Sequence, residues 1–422
     1  MNRPLEQLTG WHSRLLVYTG GAVALALLSP TTFAAGTTWW VTNRGLDGAA
    51  CGTRDKPCRS ISAAVDKARQ GDVIGVGAGL YGDLNGDGAF TAPGEEHLRT
   101  DGSGHTCIVC IDKRIKLLSL HGADVTIVDA GNGRRADPDS TDAMVDNVVS
   151  ITASGATVGA DGAGFTVAGS AGDGVHVASN VSAGTIVGNI ARGNRGSGFG
   201  IEVINQSYTP VPIPLTMTLR GNNSFQNRVG FSASHYELRG IGETVYLTEN
   251  TASGNAAGGF EMSGPSFFVR MVGNVSSNNG MGARLSGVRD AEVRGNTFSG
   301  NIGPGVFIGN VSVAVRVFDN TIAGNTGAGV LVFASNDDVV IHGNNLYGNT
   351  GVFWPGGPVI DTSNCGVVNV DVQAPLDATN NYWGAASGPG ANPADNGGKG
   401  CDFYAGNTVV KPFSATPFPI RP

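Results

Sequence analysis

The stretch VRVFDNTIAGN at residues 315–325, followed by GVLV at residues 329–332, carries the pattern that decides the fold of this chain. Short runs alternate apolar and polar side chains, as expected of strands with one buried face, and each run ends at Asn or Gly. The first members of the recurring Asn pairs are 33, 28, 24, 22, 24 and 24 residues apart, the length of one β-solenoid coil. Pairs of Asn five positions apart occur at 189/194, 222/227, 250/255, 274/279, 296/301, 320/325 and 344/349.

Strands this short cannot bury a face alone. Stacked coils would give each strand a parallel partner above and below and would enclose a shared apolar core. Asn tolerates a left-handed backbone at a corner, and stacked Asn side chains can hydrogen-bond from coil to coil. We therefore predict an all-β solenoid with about 22–24 residues per coil. An antiparallel propeller would need about forty residues per blade and a Trp-Asp signature, and neither is present.

The N-terminal end of the solenoid is predicted to carry a helical cap. Residues 60–70 place Ile61, Ala64, Val65 and Ala68 at helical spacing, and a cap of this kind would cover open strand edges and core. The predicted regions are a signal peptide at 1–34, an N-terminal cap with a loop insertion at 35–105, β-helix coils at 106–375 and a C-terminal cap at 376–422.

The first 34 residues are typical of a signal peptide, with Arg3 and Arg14 beside an apolar run at 15–28 and small residues at Thr32 and Ala34. A retained anchor is the alternative, although the run is short for a membrane span. We expect a mature protein with no membrane span that is secreted or lies in the periplasm or at the cell surface.

The net charge of −7 disfavours nucleic acid as a partner, and a monomer is expected.

Six cysteines in an exported chain favour disulfides over reactive thiols. Proximity in sequence suggests the pairs Cys51–Cys58, Cys107–Cys110 and Cys365–Cys401, although six cysteines allow fifteen connectivities. A redox site at residues 107–110 is disfavoured, because that segment is an apolar strand-like run and not the start of a helix.

Both ends of the mature sequence resemble the bacterial right-handed parallel β-helix proteins of the pectate-lyase-like superfold. The resemblance implies a right-handed parallel β-helix with an N-terminal helix cap and a C-terminal loop cap. Its members include polysaccharide lyases, hydrolases, epimerases and adhesins, so it predicts fold and not chemistry. Lyases of this group generally use clustered Asp ligands for calcium, but Asp is sparse across residues 189–349. The matching segments are Trp40-Val41, Gly45, Asp47, Cys51-Gly52, PCRSI at 57–61, AAV at 63–65, Ala68, Gly71-Asp72 and GLY at 79–81, and ATNNYWG at 378–384, Gly388-Pro389 and Pro412-Phe413.

The stretch DLNGDGAFT at residues 83–91 matches the first nine positions of a calcium-binding loop. Gly94 stands where such a loop carries its closing Glu, so the next residues would close the shell if the loop relaxes. We predict calcium as a structural cofactor, with a plain Asn-Gly-rich surface loop as the alternative. The candidate ligands are Asp83, Asn85, Asp87, Ala89 through its carbonyl, and Glu95 or Glu96.

Outward positions on the strands that follow the second Asn of each pair collect ionisable side chains. Carboxylates beside Arg and His are the groups needed to neutralise a uronate and to move a proton, and two carboxylates alone could serve glycoside hydrolysis. Exposed Glu and Arg also keep a solenoid soluble, which is the alternative interpretation. The candidate catalytic residues are Glu202, His235, Glu237, Glu261 and Arg284.

A second outward column lies four residues before the first Asn of each pair and contains Tyr246, Arg270, Glu292, Arg316 and Val340. Coils stack about 4.8 Å apart, so the charged members can pair along the column, most simply as a structural ladder.

Two insertions, at residues 206–215 and 236–243, would form the walls of a groove. Exposed aromatic side chains such as Tyr246, Phe307 and Phe333 could stack on sugar rings there.

These features predict a protein that binds or processes an extracellular polysaccharide, as a lyase or hydrolase at most. A non-catalytic surface, adhesin or structural protein is the alternative. Periplasmic metal delivery is a third class, disfavoured because the seven His are scattered along the sequence.

Overall fold

The computed structural model describes residues 36–131, 145–179, 181–203, 216–235, 243–265, 267–333, 336–349, 366–370, 375–389 and 408–419. Within these ranges, equivalent strands of successive coils pair in parallel and form three long sheets, A, B and C. This arrangement confirms the predicted right-handed parallel β-helix. Strands are numbered in chain order. In the same ranges, no helix is long and apolar enough to cross a membrane.

Sheet A has thirteen strands. In order along the axis they are β1 (Thr38–Val41), β2 (Val73–Val76), β6 (Lys116–Ser119), β9 (Ala156–Val158), β12 (Ala183–Val187), β15 (Thr216–Arg220), β18 (Glu243–Thr248), β21 (Phe267–Val272), β24 (Arg289–Arg294), β27 (Val313–Phe318), β30 (Asp337–His342), β33 (Leu376–Asp377) and β34 (Thr408–Val409).

Sheet B has ten strands: β3 (Gly79–Gly82), β7 (Thr126–Asp129), β10 (Thr166–Ala168), β13 (Ile190–Arg192), β16 (Asn223–Phe225), β19 (Thr251–Ser253), β22 (Val275–Ser277), β25 (Thr297–Ser299), β28 (Thr321–Ala323) and β31 (Asn345–Tyr347).

Sheet C has eleven strands: β4 (Arg99–Thr100), β5 (Thr106–Ile111), β8 (Asn147–Ile151), β11 (Val175–Val177), β14 (Ser197–Val203), β17 (Val229–His235), β20 (Gly258–Ser263), β23 (Ala283–Ser286), β26 (Val306–Gly309), β29 (Val330–Phe333) and β32 (Val367–Asn369). The short β4 pairs with β5 in antiparallel fashion.

The core is built from in-register columns of apolar side chains. On the inner face of sheet C, the rings of Phe199, Phe231 and Phe260 stack with successive centroid distances of 4.9 Å, and all three are fully buried. Because side chains alternate along a strand, the residues next to these rings point to the outer face. The inward Phe column therefore fixes which side chains of sheet C face outward.

Two ladders of buried Asn side chains connect the coils, as predicted from the repeat. Asn274 is representative: its backbone N–H and its Nδ2 both donate to Oδ1 of Asn296, at 2.8 and 2.9 Å. Its Nδ2 also donates to the Leu247 carbonyl at 2.7 Å. The ladders are 189, 222, 250, 274, 296, 320, 344 and 381, and 194, 227, 255, 279, 301, 325 and 349.

The left-handed backbone at each corner falls one residue earlier than expected. The ladder Asn residues do not adopt positive φ; the residue immediately before each of them does, as at Gly273 (φ 66°) and Asp319 (φ 57°). The reason is that each ladder Asn must turn its amide into the interior to reach the next coil. The corner residue before it remains at the surface and makes the turn.

Helix α1 (Ile61–Lys67) caps the first coil, and it is shorter than the predicted 60–70. Ser60 is its N-cap and accepts a hydrogen bond from the Ala63 N–H at 3.3 Å. Ile61, Ala64 and Val65 face the core and are buried, which confirms the predicted cap.

Two of the three suggested disulfides are present, Cys51–Cys58 and Cys107–Cys110. Cys365 and Cys401 lie outside the described residues. The predicted signal peptide and both predicted groove walls, 206–215 and all but Glu243 of 236–243, also lie outside them.

Candidate functional site

The outward positions of the sheet C strands lie in register from coil to coil. His176 of β11 pairs with Ser150 of β8 on one side and with Gly200 of β14 on the other. Beyond Gly200 the strand pairing continues the column through Ser232, Glu261, Arg284, Phe307 and Leu331. At about 4.8 Å per coil, such a column repeats regularly along the long axis of the protein.

Glu261 and Arg284 occupy neighbouring positions in this column. Arg284 is exposed, and its guanidinium carbon lies 5.8 Å from the ring centroid of Phe307 on the next coil. This contact is a cation–π interaction that holds the charged group over an aromatic surface. The Glu261 side chain folds back over Gly258, where an added Cβ would lie 2.8 Å from its Oε1. The result is a small surface with one cation, one carboxylate and one aromatic ring.

Phe307 and Phe333 are half-buried, with ring centroids 6.4 Å apart. Phe307 also packs on a small outer cluster of Ala328, Leu331 and Val368, all of which are buried. Phe307 is therefore anchored on one side and offers the other to the surface beside Arg284.

A second group of ionisable side chains lies three to four coils toward the N-terminus. His176 is 6% exposed, and its Nδ1 lies 3.2 Å from Oδ2 of Asp173. Its Nε2 lies 3.7 Å from Oε2 of Glu202, too far for a good hydrogen bond. The ring of His105 meets the His176 ring edge-on at a centroid distance of 5.0 Å.

The protonation of His176 is set by competing effects. Burial favours the neutral ring, but the hydrogen bond to Asp173 and the negative charges of Asp173, Glu202 and Asp101 outweigh burial. The pKa of His176 is therefore raised above its ordinary value of 6.5.

The supports of this group come from three separate segments. Asp101 follows β4 and accepts the His105 N–H on Oδ1 at 3.1 Å and the Ser150 hydroxyl on Oδ2. Asp173 accepts the Ser197 N–H on Oδ1 at 2.6 Å. A Cβ on Gly200 would lie 1.9 Å from Asp173 Oδ2, so only glycine leaves room for this carboxylate.

The predicted catalytic residues do not form one cluster. Glu261 and Arg284 are neighbours, whereas Glu202 belongs to the group around His176. β17 lies between β14 and β20, so the backbones of Glu202 and Glu261 are about 10 Å apart along the axis. Glu237 lies outside the described residues, and so does the side chain of His235, whose backbone ends β17.

Sequence reasoning missed His105, Asp173 and His176. The local signal was His176 between Val175 and Val177, because alternation in a strand with two buried Val residues places the His outward. No spacing rule connects it with His105, which comes from the turn before β5.

The predicted calcium loop is compact. Carboxylate oxygens of Asp83, Asp87 and Glu95 lie within 4.8 Å of one another, and Asn85 Nδ2 donates to Asp87 at 2.7 Å. Backbone N–H groups of the loop donate to all three carboxylates, and the Ala89 N–H donates to Asp87 at 2.8 Å. Calcium binding by this loop stays a prediction.

Glu96 faces the start of α1 and not the predicted calcium loop. Its two oxygens accept hydrogen bonds from the N–H groups of Ile61 and Ser62 at 2.7 and 2.6 Å, at the start of α1. Burial raises the pKa of Glu96 to about 7 against the opposing hydrogen bonds of the helix end. Of the two Glu residues predicted to close the calcium shell, only Glu95 is therefore placed to do so.

The outward column of sheet A has the predicted register, from Tyr246 to Val340. Arg270 pairs with Asp290 at 2.7 Å and approaches Glu292 at 3.7 Å, while Arg316 pairs with Asp338 at 2.5 Å and not with Glu292. These surface pairs fit the structural interpretation, at about 0.2–1 kcal/mol each.

Two surface grooves lie at the corner between sheets A and B, with volumes of about 410 and 530 Å³. Asp319 and Phe418 line both of them. Arg294 lies in the larger groove, 5.6 Å from the Phe318 ring and 3.6 Å from Asp319. The described residues that line these grooves belong to coil corners and to the C-terminal segment.

A family model described as NosD, periplasmic copper-binding protein, matches residues 214–353. No curated protein sequence matches the chain significantly.

Among solved structures, the A-module of the mannuronan C-5 epimerase AlgE6 from Azotobacter vinelandii has a TM-score of 0.53 at 16% identity, covering 85% of this chain and 95% of that chain. The AlgE4 A-module of the same organism has a TM-score of 0.50 at 15% identity, covering 78% and 81%. The pectate lyase Pel9A has a TM-score of 0.45 at 14% identity, covering 90% and 80%. At such identities the likeness to the two epimerase modules shows the fold alone, which is a right-handed parallel β-helix.

Proposed function

We propose that this protein binds an extracellular polysaccharide along the outer face of sheet C, with the surface of Glu261, Arg284 and Phe307 as its centre. The observation that carries the proposal is the in-register column on which Arg284 lies over Phe307. A linear column with a fixed repeat suits a linear polymer. An aromatic ring beside a cation offers both stacking and charge-assisted hydrogen bonds to a sugar.

A uronate-containing polymer is the first candidate. Arg284 is exposed and can meet a carboxylate in a bidentate geometry. The epimerase modules that share this fold act, by their names, on mannuronan, which is such a polymer. Their likeness to this chain extends to the fold, so the proposal depends on the sheet C surface itself.

Among the candidate catalytic residues whose side chains are described, the spacing favours binding without turnover. Acid–base chemistry on one sugar needs its groups within hydrogen-bonding reach of the same bond. His176 lies four coils from Arg284, which is about 19 Å along the axis. Glu202 and Glu261 are likewise on different coils.

We infer a location outside the cytoplasm. The described disulfides Cys51–Cys58 and Cys107–Cys110 belong to oxidising compartments, and the matching family model is described as periplasmic. That description also names copper. The matched residues contain two His residues, His235 and His342, which are far apart in sequence.

The test is a screen of the purified mature protein against polyuronates and neutral polysaccharides, with and without calcium. Binding, unsaturated-product absorbance and reducing ends are followed together. Arg284→Ala should weaken binding of a polyuronate about 10- to 100-fold, the size expected for a lost charge-assisted hydrogen bond. Arg316→Ala on sheet A is the matched control and should leave binding unchanged. Equal effects of the two variants, or no binding to any polymer, would contradict the proposal.

A further inference from the structure

The group around His176 contains two buried ring nitrogens that have no hydrogen-bond partner, Nδ1 of His105 and Nε2 of His176. A buried polar atom left unpaired destabilises the folded state, so each such atom in a folded protein calls for an explanation. His176 is more than nine-tenths buried, and its unpaired Nε2 is turned toward Glu202. The sheet C polysaccharide surface does not use either nitrogen.

We propose that His105, His176 and Glu202 bind a divalent transition-metal ion such as Zn²⁺ or Cu²⁺. Their three ligand atoms lie within 4.8 Å of one another. Ligands around one such ion are about 3.3–3.5 Å apart when each metal–ligand distance is about 2.0–2.2 Å. Small rotations of the Glu202 and His105 side chains therefore close the site.

The second ring nitrogen of His176, Nδ1, already makes the kind of hydrogen bond to a carboxylate that ligand histidines make in metal sites. Its Nδ1 is bonded to Asp173, and Asp173 is itself fixed by the Ser197 N–H and by the space that Gly200 leaves. A carboxylate on the far side of a ligand histidine fixes the ring and its tautomer and strengthens metal binding. The backbone of His105 is held by Asp101, which accepts its main-chain N–H and also the Ser150 hydroxyl.

The chemistry of the donor set selects the class of ion. Two imidazole nitrogens and one carboxylate suit zinc or copper, whereas calcium and magnesium prefer oxygen ligands alone. A sugar cannot reach Nε2 of His176, because that atom is enclosed. The Glu202 side chain is 26% exposed, so the ion and a fourth, water ligand would enter from its side.

The experiment titrates the chelator-treated full-length protein with Zn²⁺ by calorimetry and with Cu²⁺ by electron paramagnetic resonance. One ion should bind, and the Cu²⁺ spectrum should show coupling to two nitrogens. His105→Ala and His176→Ala should each lower Zn²⁺ affinity by about 100-fold or more, and Asp173→Asn by about 10- to 100-fold. His105 lies in a half-exposed turn, so its variant tests the site even if His176→Ala fails to fold.

His342→Ala is the matched control, because His342 is a half-buried histidine on sheet A that pairs with Asp377 at 2.8 Å. It should bind metal as the wild type does, and so should Arg284→Ala, which separates this proposal from polysaccharide binding. The proposal would be overturned if the wild type did not bind Zn²⁺, or if the wild type and His105→Ala bound Zn²⁺ with equal affinity. So would a two-nitrogen Cu²⁺ spectrum that survives in His105→Ala.

Discussion

Buried Asn side chains are tolerated in this protein because those of successive coils satisfy one another's hydrogen-bonding groups. Asn274 donates to Asn296 and Leu247 and accepts the N–H and Nδ2 of Asn250 at 2.9 and 3.1 Å. Buried polar groups that are fully hydrogen-bonded specify one arrangement of the chain, whereas the same groups left half-satisfied are costly. The ladder therefore fixes the register between coils.

Asn274→Ala is expected to lower the free energy of unfolding by at least about 2 kcal/mol, because the backbone N–H and the side-chain amide of Asn250 lose the buried acceptor that Asn274 provides. Urea denaturation followed by circular dichroism measures the loss. Asn223→Ala is the control: its Oδ1 has no hydrogen-bond partner, and it should cost little. Equal losses in both variants would show that the ladder adds nothing to stability.

Asp72 holds residues 37–39 against the turn that precedes β2. Its carboxylate accepts the N–H of Thr37 and of Arg69, both at 2.7 Å, and the Trp39 Nε1 at 2.9 Å. Burial raises the pKa of this carboxyl, but these hydrogen bonds outweigh burial and hold the pKa below its ordinary value. The stabilisation is therefore present above the unfolded-state pKa of about 3.9 and is lost as pH falls through the lower folded-state pKa.

Asp72→Asn should destabilise the protein by about 1–3 kcal/mol at pH 7. The difference from wild type should shrink as pH falls below about 3.9, because the wild type then loses its own charged anchor. Thermal unfolding of both proteins from pH 7 to pH 3 provides the comparison. A difference that stays constant over this range would refute the role of the charge.

At the scale of elements, the residue before each ladder Asn has the same left-handed backbone conformation, although the residue type differs from corner to corner. Gly fills most left-handed positions, but Gln226 (φ 58°) and Glu249 (φ 55°) adopt the same conformation with a side chain. A residue with a Cβ is strained there by about 1–2 kcal/mol, and glycine is not.

Gln226→Gly should therefore raise the free energy of unfolding by about 0.5–1 kcal/mol, since Gln226 is exposed and the relief of strain exceeds the added chain entropy. The reverse change at an equivalent corner, Gly193→Ala, should lower it by about 1 kcal/mol, because a Cβ there meets no neighbour and only the backbone is strained. Denaturant midpoints of the two variants should move in opposite directions. Movement in the same direction would show that corner conformation does not limit stability.

The acidic side chains of residues 83–96 have two different roles. Asp83, Asp87 and Glu95 surround the predicted calcium site, and Glu96 accepts hydrogen bonds from the start of α1. Calcium should raise the melting temperature of the wild type, and Asp83→Asn or Glu95→Gln should abolish that rise, because these oxygens would surround the ion. Glu96→Gln is expected to destabilise α1 while preserving the calcium effect. If calcium leaves the wild-type melting temperature unchanged, the plain surface-loop alternative is correct.

At the scale of the whole molecule, the sequence predicts what repeats along the chain and fails where coils bring unrelated segments together. Equal spacing was enough to predict the Asn ladders and the placing of Arg270 next to Glu292. It could not join His105 to His176, because one lies in a turn before β5 and the other two coils further along sheet C. The pairing of Glu261 with Arg284 and the separation of Glu202 from both depend on register that only the folded coils define.

The charge distribution of the molecule fits a local site and not a uniformly charged surface. The net charge is −7, so a polyuronate would be repelled at long range, and its binding would rely on Arg284 and Phe307 at short range. Affinity of this kind should increase with salt as the long-range repulsion is screened, until the contact of Arg284 itself weakens.

The most direct test of polysaccharide binding on sheet C is hydroxyl-radical footprinting of the protein with and without the polymer that it binds most tightly. Oxidation of Phe307 should fall when the polymer is added, while Tyr246 on sheet A and Phe318 at the corner grooves should oxidise as before. Protection of Tyr246 or Phe318 with no change at Phe307 would contradict the account and move the polymer to another face.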